Sequence, residues 1–416
     1  MKRSRRFRLL LYLVALLPFP LLVLYVFLGT TALYRLGELL DPPESAAGVD
    51  GVVVYLDGDP RPNRDKGLTL HLMNGDKKPC PLTEAAADKD ELLSGPALSR
   101  DGRMLAYVVE FRDCFRVVDT PKRQTGPSRA TYQLVPERAN RRVFVQEMGG
   151  TQTMDLSRGL ADDIEPEWSP DAKLIAFSSG ERTFDDPSNP CTLRPHLHQI
   201  WVMDPHGDNR RPVTDLPTQC FHPTWSPDSK QIAFIAASPF HIRAPREAIP
   251  PVLEEARRHF LCELWVINSD GTRPRQLTRI GPLSKSQRRW LTTNPYDLPS
   301  AWEPRWSPVG DDIVLVFKDQ LFLCNAKDGQ LKQLTRLDPD MPRDHPLGPC
   351  WSPDGQSICF AYHRYAGRRP FSDSYEFTND LYLIGRNGSR LRRLTSTRFA
   401  WEPSWGPECS PPQNGG

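Results

Sequence analysis

Short apolar segments recur along the chain, each directly after a tight polar motif of the form Trp-Ser-Pro-Asp. This pattern is typical of two strands joined by a turn, because Pro presets φ while Asp or Ser bonds the turn backbone. Clear copies of the motif occupy residues 168–171, 225–228, 306–308 and 351–355, and degenerate copies occupy residues 98–102 and 405–407. The pattern predicts six strand-turn-strand units.

A second apolar pattern alternates with the first and consists of a strand, a polar turn and a Leu-Thr or similar ending. Its six copies span residues 70–83, 143–157, 200–214, 264–278, 321–335 and 381–395. Apolar segments on either side of a polar turn are typical of hairpins, and four of these turns carry glycine. One unit of each pattern per repeat supplies the four strands of a blade, and such a blade needs about 40 to 50 residues. The six repeats therefore predict an all-β, six-bladed β-propeller.

The two ends of the repeat series complement each other. The first unit begins at residue 52 without an innermost strand, and the strand around Trp405 has no partner strands after it. Placing the C-terminal strand inside the N-terminal blade would complete both units and remove free sheet edges. We therefore expect a closed propeller over residues 51–408, followed by a disordered tail at 409–416.

The Trp-Ser-Pro-Asp-Gly motif with its following Ile-Ala-Phe strand resembles the repeat of TolB-like (WD40-like) propellers. It is also similar to the propellers of prolyl oligopeptidases and oligogalacturonate lyases. The resemblance covers residues 50–407. It implies the propeller fold and, from the TolB-like family, protein contact in the periplasm, although propellers host many unrelated activities.

The N-terminus differs in kind from the repeats. Five basic residues lie within residues 1–8, and an uncharged stretch follows from residue 9 to 33. This stretch is longer than a signal-peptide core and long enough to span a bilayer. We expect a cytoplasmic basic tail (1–8), a transmembrane signal anchor (9–33), a linker (34–50) and a propeller in the periplasm or on the extracellular face. A cleaved signal peptide stays an open alternative.

Composition excludes one class of partner and leaves the thiols undecided. The formal net charge of +2 and the lack of a basic stripe argue against nucleic acid. Nine cysteines suit an oxidising compartment, but an odd number cannot all pair internally. Cys324 and Cys359 are expected to be small buried core residues, whereas Cys191, Cys220 and Cys262 are candidates for a disulfide.

The long insertions predict a binding face. We call the side of the propeller that carries residues 111–142, 178–199, 236–262, 279–301 and 363–380 the loop face, and the side that carries the Ser-Pro-Asp turns the turn face. Long loops are usually functional or disordered. Candidate loop-face binding residues are Arg116, Arg123, Arg129, Trp290 and Tyr296. Because the termini are expected on the turn face, the loop face should point away from the membrane.

A ring of residues is expected where the central channel opens on the loop face. Three residues before each strand Trp, or its equivalent, stand Gly95, Glu165, His222, Glu303, Gly348 and Glu402, each followed by Pro. The side chains of Glu165, His222, Glu303 and Glu402 should converge as a channel-mouth binding site. Carboxylates with an imidazole can hold a divalent cation or transfer protons, and they can equally be a solvated entrance. No other cofactor is indicated.

Two functions follow from these patterns. The first is a membrane-anchored, non-catalytic scaffold that binds a protein or an envelope polymer through its loop face. The alternative is an enzyme of oligogalacturonate-lyase-like type, with a cation-dependent site at the channel mouth. The sequence contains no Gly-x-Ser-x-Gly, P-loop or His-Glu-x-x-His motif, which lowers the standing of the enzyme hypothesis.

Overall fold

A computed structural model gives the fold. It describes residues 49–58, 68–74, 80–82, 91–111, 115–119, 132–136, 141–150, 152–159, 161–184, 193–195, 198–237, 262–278, 303–317, 319–337, 344–368 and 375–407. These residues form six antiparallel sheets of a propeller and one additional two-stranded sheet. The predicted six-bladed, all-β fold is confirmed.

Blades 1 to 3 are formed by the N-terminal half of the chain. Blade 1 contains β1 (Val52–Asp57), β2 (Thr69–Asn74) and β3 (Cys80–Pro81); blade 2 contains β4 (Glu91–Leu98), β5 (Met104–Phe111), β8 (Arg141–Glu147) and β9 (Thr153–Asp155). The hairpin of β6 (Phe115–Asp119) and β7 (Tyr132–Pro136) lies between β5 and β8 in sequence. Blade 3 contains β10 (Ala161–Trp168), β11 (Ile175–Phe184), β13 (Gln199–Met203) and β14 (Arg211–Pro212), and β12 (Leu193–Pro195) pairs antiparallel with the end of β11.

Blades 4 to 6 repeat the same order of strands. Blade 4 contains β15 (Gln219–Trp225), β16 (Gln231–Ala237), β17 (Glu263–Asn268) and β18 (Arg275–Gln276); blade 5 contains β19 (Arg305–Trp306), β20 (Asp312–Phe317), β21 (Gln320–Asn325) and β22 (Leu331–Gln333). Blade 6 contains β23 (His345–Trp351), β24 (Ser357–Arg368), β25 (Tyr375–Gly385) and β26 (Arg392–Arg393). The last strand, β27 (Ala400–Gly406), pairs antiparallel with β1 and is the first strand of the blade 1 sheet.

The Ser-Pro-Asp motif forms the turn between the first and second strands of a blade. In blade 3 the Ser169 hydroxyl donates to the Asp171 carboxylate over 2.7 Å, and the Ser169 Oγ accepts the Leu174 N–H at 2.9 Å. The same two bonds recur around Ser226 and Ser352. In blade 5 Val309 replaces the aspartate, and the Ser307 hydroxyl donates to the Val309 carbonyl oxygen instead. The motif therefore recurs because it satisfies its own turn backbone.

The Leu-Thr ending has an equally local explanation. The Thr214 Oγ1 accepts the Ile200 N–H at 2.9 Å, which satisfies a backbone donor at the start of the third strand. Equivalent bonds join Thr278 to Leu264, Thr335 to Leu321, Thr395 to Leu381 and Ser157 to Val143. Each hydroxyl is buried, so losing one would leave a buried N–H without a partner.

The core lies between adjacent blades and is built mainly from the second and third strands. Phe177, Phe234 and Phe360 occupy equivalent positions of β11, β16 and β24 and are fully buried. Cys324 and Cys359 are buried free thiols, as predicted. Cys220 and Cys262, expected to form disulfides, are also buried free thiols; Cys220 belongs to the blade 4 core. Cys191 lies outside the described residues.

The innermost strands of neighbouring blades contact one another around the ring, including β27 with both β4 and β23. Side chains reinforce these contacts: the Thr224 Oγ1 accepts the Trp306 N–H, and the Ser404 Oγ accepts the Leu98 N–H, both at 2.9 Å. Within the described part of the chain, no helix is long and apolar enough to cross a bilayer. The predicted tail, anchor and linker (1–8, 9–33 and all but the last residues of 34–50) lie outside that part.

Candidate functional site

A bulge in the innermost strands aims the predicted channel-mouth side chains. The ladder between the first two strands shifts register beside the residue-Pro step in blades 1, 2, 3, 4 and 6. Pro has no N–H to donate to the ladder, so a bulge is favoured at this step. The residue before Pro adopts a positive φ, for example 57° at Glu165 and 53° at His222. The bulge turns this side chain away from its own sheet and toward the next blade.

The channel-mouth ring alternates between a carboxylate and a backbone donor. Each glutamate Oε2 accepts the backbone N–H of the equivalent residue in the following blade. The pairs are Glu402 with Gly95 (2.5 Å), Glu165 with His222 (2.6 Å), and Glu303 with Gly348. Blades 1, 3 and 5 thus provide acceptors and blades 2, 4 and 6 provide donors. Three of the six blade junctions are joined by a charge-assisted hydrogen bond.

Glycine at two donor positions permits close approach at the other junctions. A Cβ on Gly348 would lie 3.1 Å from the Glu402 Cα, and a Cβ on Gly95 would lie 3.6 Å from the Pro166 ring. Both glycines have positive φ, which a side chain would strain. Glycine therefore occupies these positions for packing and for backbone conformation.

The remaining donor position is occupied by His222, whose side chain forms a close pair with Glu165. The His222 Nδ1 lies 3.1 Å from the Glu165 Oε1, and the Ser178 hydroxyl donates to Oε2 over 2.8 Å. Burial would raise the pKa of Glu165, but His222, its backbone N–H and Ser178 hold that pKa below its ordinary value. Burial lowers the pKa of His222, so a neutral imidazole faces an ionised carboxylate at pH 7.

The other two ring carboxylates are pushed toward their protonated forms. Burial, with the nearby Glu402 and Glu165 carboxylates, raises the pKa of Glu303 to about 7. Burial, with Glu165, also raises the pKa of Glu402. The Arg305 guanidinium opposes both shifts. The mouth is thus a mostly acidic ring whose charge is set by environment and can change near neutral pH.

The structure adds three residues to the site that were not predicted. Arg305 and Glu167 stand two positions after ring residues in the sequence, and the Arg305 Nε is 3.9 Å from the Glu167 Oε2. That spacing was a usable signal. His198 lies beside Phe221 with its ring tilted by 36° (ring centroids 5.3 Å), is 5% exposed, and its Nε2 has no hydrogen-bond partner among the described residues. Burial lowers the pKa of His198 to about 4. Nothing in its sequence context pointed to the channel.

The predicted divalent cation site remains a prediction. Among the residues that the structure describes, no three His, Cys, Asp or Glu side chains converge with metal-ligand geometry. One oxygen of each ring glutamate already accepts a backbone N–H, which leaves fewer lone pairs for a hard cation. What the ring can do is bind donors and exchange a proton through Glu303.

The predicted loop-face residues are mostly outside the described part of the chain. Arg116 lies in β6, opposite Val135 of β7. Arg123, Arg129, Trp290 and Tyr296 fall outside the described residues. The described strands extend toward the same face, since β24 and β25 have 12 and 11 residues and β11 continues past the blade to pair with β12. These hairpins therefore project beyond the blades on the loop face.

Comparison with known sequences gives a distant relative. No protein-family model matches the chain. Dipeptidyl-peptidase 5 of Porphyromonas gingivalis is 22% identical over 325 residues, which is 76% of this chain and 36% of the peptidase. The chain thus spans about a third of this curated relative.

Comparison with solved structures places the fold. The chain has a TolB-like propeller fold. TolB from Acinetobacter baumannii matches with a TM-score of 0.52 at 16% identity, over 91% of this chain and 72% of TolB. The predicted resemblance to TolB-like propellers is confirmed at the level of the fold. An oligogalacturonate lyase in complex with manganese matches with a TM-score of 0.41 at 10% identity, over 83% of this chain and 74% of the lyase, which is too distant to support a shared reaction.

Proposed function

We propose that this chain is a membrane-anchored, extracytoplasmic propeller that binds a protein or an envelope polymer through its loop face, without catalysing a reaction. Residues 9–33 anchor it, residues 1–8 lie in the cytoplasm, and the propeller lies in the periplasm or on the cell surface. The pairing of β27 with β1 closes the ring. The TolB-like fold supports a binding role by analogy of architecture.

The observation that carries the proposal is the use made of the ring carboxylates. Glu165, Glu303 and Glu402 each hold the backbone of the next blade, so their first role is to join blades. Each of these bonds commits one carboxylate oxygen, so the position of the group is set by the packing of the blades. Carboxylates that bridge blades make a rigid, polar rim, which suits a binding surface.

The relatives do not add a reaction to this proposal. The chain corresponds to about a third of dipeptidyl-peptidase 5, and its sequence lacks the Gly-x-Ser-x-Gly motif of many serine hydrolases. The lyase alternative would need a cation at the channel mouth. We rank both below binding.

Site-specific photo-crosslinking in native membranes tests the proposal. A photoreactive residue is placed at exposed positions on one face at a time. The loop-face positions are Asp215, Arg336 and Ser396, and the turn-face controls are Lys173, Lys230 and Asp270. All six are exposed: the loop-face positions directly follow the Leu-Thr endings of blades 3, 5 and 6, and the controls lie in turns of blades 3 and 4 on the turn face.

We expect the loop-face positions to form a discrete crosslinked product and the controls to form none with the same partner. The product is identified by mass spectrometry and by its sensitivity to protease or to glycan-cleaving enzymes, which separates a protein from a polymer. A product confined to the turn-face positions would contradict the proposed binding face.

A further inference from the structure

A large cleft lies on the turn face between blades 5 and 6, on the opposite side of the propeller from the channel mouth. Its volume is about 1210 Å³, and the β21–β22 and β25–β26 hairpins form its two walls. Ser357 and Gln356, which follow the Ser-Pro-Asp-Gly turn of blade 6, complete the lining.

The cleft is basic. Four cationic side chains and one carboxylate line it. The carboxylate, Asp312, is bound by Arg386, whose Nε and Nη2 lie 3.0 and 2.5 Å from its Oδ2. This ion pair joins the two blades at the cleft, and Lys332 and Arg390 add further positive charge to its lining. Lys332 and Arg390 are exposed, so they can reach an anionic ligand.

The lining also offers apolar contact and backbone-type hydrogen bonding. Leu391 in the cleft is 45% exposed. It is one of only four large apolar side chains exposed among the described residues. The amide side chains of Gln330 and Asn387 line the cleft as well and can both donate and accept.

We propose that the cleft between blades 5 and 6 binds an extended, acidic peptide segment of a partner protein that also carries apolar side chains. Carboxylates of the segment would pair with Lys332 and Arg390, an apolar side chain would contact Leu391, and its backbone would bond the amides of Gln330 and Asn387. A concave cleft with amide donors suits a peptide better than a flat lipid surface. This proposal does not rest on the loop-face binding role, because it uses the other face.

The test measures binding of a fluorescein-labelled peptide of alternating glutamate and leucine to the full chain in detergent, by fluorescence anisotropy. An alternating lysine and leucine peptide is the ligand control. The cleft variant is Lys332→Glu with Arg390→Glu. The matched variant is Lys230→Glu with Arg273→Glu in blade 4, where Arg273 is the hairpin equivalent of Arg390 and shares its left-handed φ (55° and 58°). Both variants change the net charge equally.

We expect the cleft variant to weaken binding of the glutamate peptide about tenfold or more, and the matched variant to change it less than about twofold. Binding should also weaken as the ionic strength rises above about 0.1 M. If the cleft variant does not fold, as judged by circular dichroism, Lys332→Gln with Arg390→Gln replaces it. Equal loss in both variants, or equal binding of the two peptides, would refute the proposal. Reduced binding of phosphatidylglycerol vesicles without reduced peptide binding would refute it in favour of a lipid.

Discussion

Replacing Glu303 with glutamine should remove a pH-dependent loss of stability. Burial and the neighbouring carboxylates raise the pKa of Glu303 from 4.5 to about 7, so the folded state holds this proton more tightly than the unfolded state. The free energy of unfolding must then fall as the pH rises from about 4.5 through 7, because ionisation is more costly in the folded protein. Glutamine is neutral at every pH and can still accept the Gly348 N–H.

The magnitude follows from the shift. A pKa difference of this size corresponds to about 3 kcal/mol as an upper value. Glu303 is only partly buried and faces the channel, so solvent screening should reduce the observed effect to about 1–2 kcal/mol. We expect the advantage of the variant over the parent to be smallest at pH 5 and to rise to about that amount at pH 8.

Urea unfolding followed by tryptophan fluorescence at several pH values between 5 and 8 measures this difference. Asp171→Asn is the control. Although burial opposes it, bonds from Ser169 and Lys173 lower the pKa of Asp171 below 3.8, so its stability contribution is lost only at more acidic pH. The control should shift stability by a constant amount across the range. A Glu303→Gln variant with the pH slope of the parent would refute the reasoning.

Two further predictions concern the scaffold. Gly329→Ala should destabilise the protein by at least about 2 kcal/mol more than Gly159→Ala, as measured by chemical denaturation. Both glycines have positive φ, but a Cβ on Gly329 would overlap the Leu277 carbonyl oxygen, whereas no described atom lies within 4 Å of a Cβ on Gly159. Equal losses of stability in the two variants would contradict this packing argument. Removing residues 400–416, which deletes β27, should abolish the cooperative unfolding transition, while removing only 409–416 should leave it unchanged; a cooperative transition in the longer truncation would show that β27 is not needed to close the ring.

Much of the fold could be predicted because its signals are local. The Ser-Pro-Asp turn bonds itself within a few residues, as Ser169 with Leu174 does, and the Leu-Thr ending bonds a strand 14 residues away, as Thr214 with Ile200 does. Because these interactions recur with every copy of the motif, the number of motifs in the sequence gives the number of blades. The equivalent positions that bond one blade to the next followed from the same register, three residues before the strand tryptophan or its equivalent.

The roles of those positions depended on tertiary structure. Glu402 bonds Gly95 across 307 residues of sequence, and such a partner exists only once the ends of the chain meet. Likewise, the raised pKa of Glu303, the place of Arg305 among the carboxylates and the basic cleft between blades 5 and 6 arise where separate blades come together. The sequence by itself determined the strands, the turns and the number of blades, because these depend on near neighbours. Only the arrangement of the blades in the folded protein determined which side chains hydrogen-bond, interact electrostatically or line a cleft. Those contacts join residues far apart in the sequence, which the repeat pattern cannot pair.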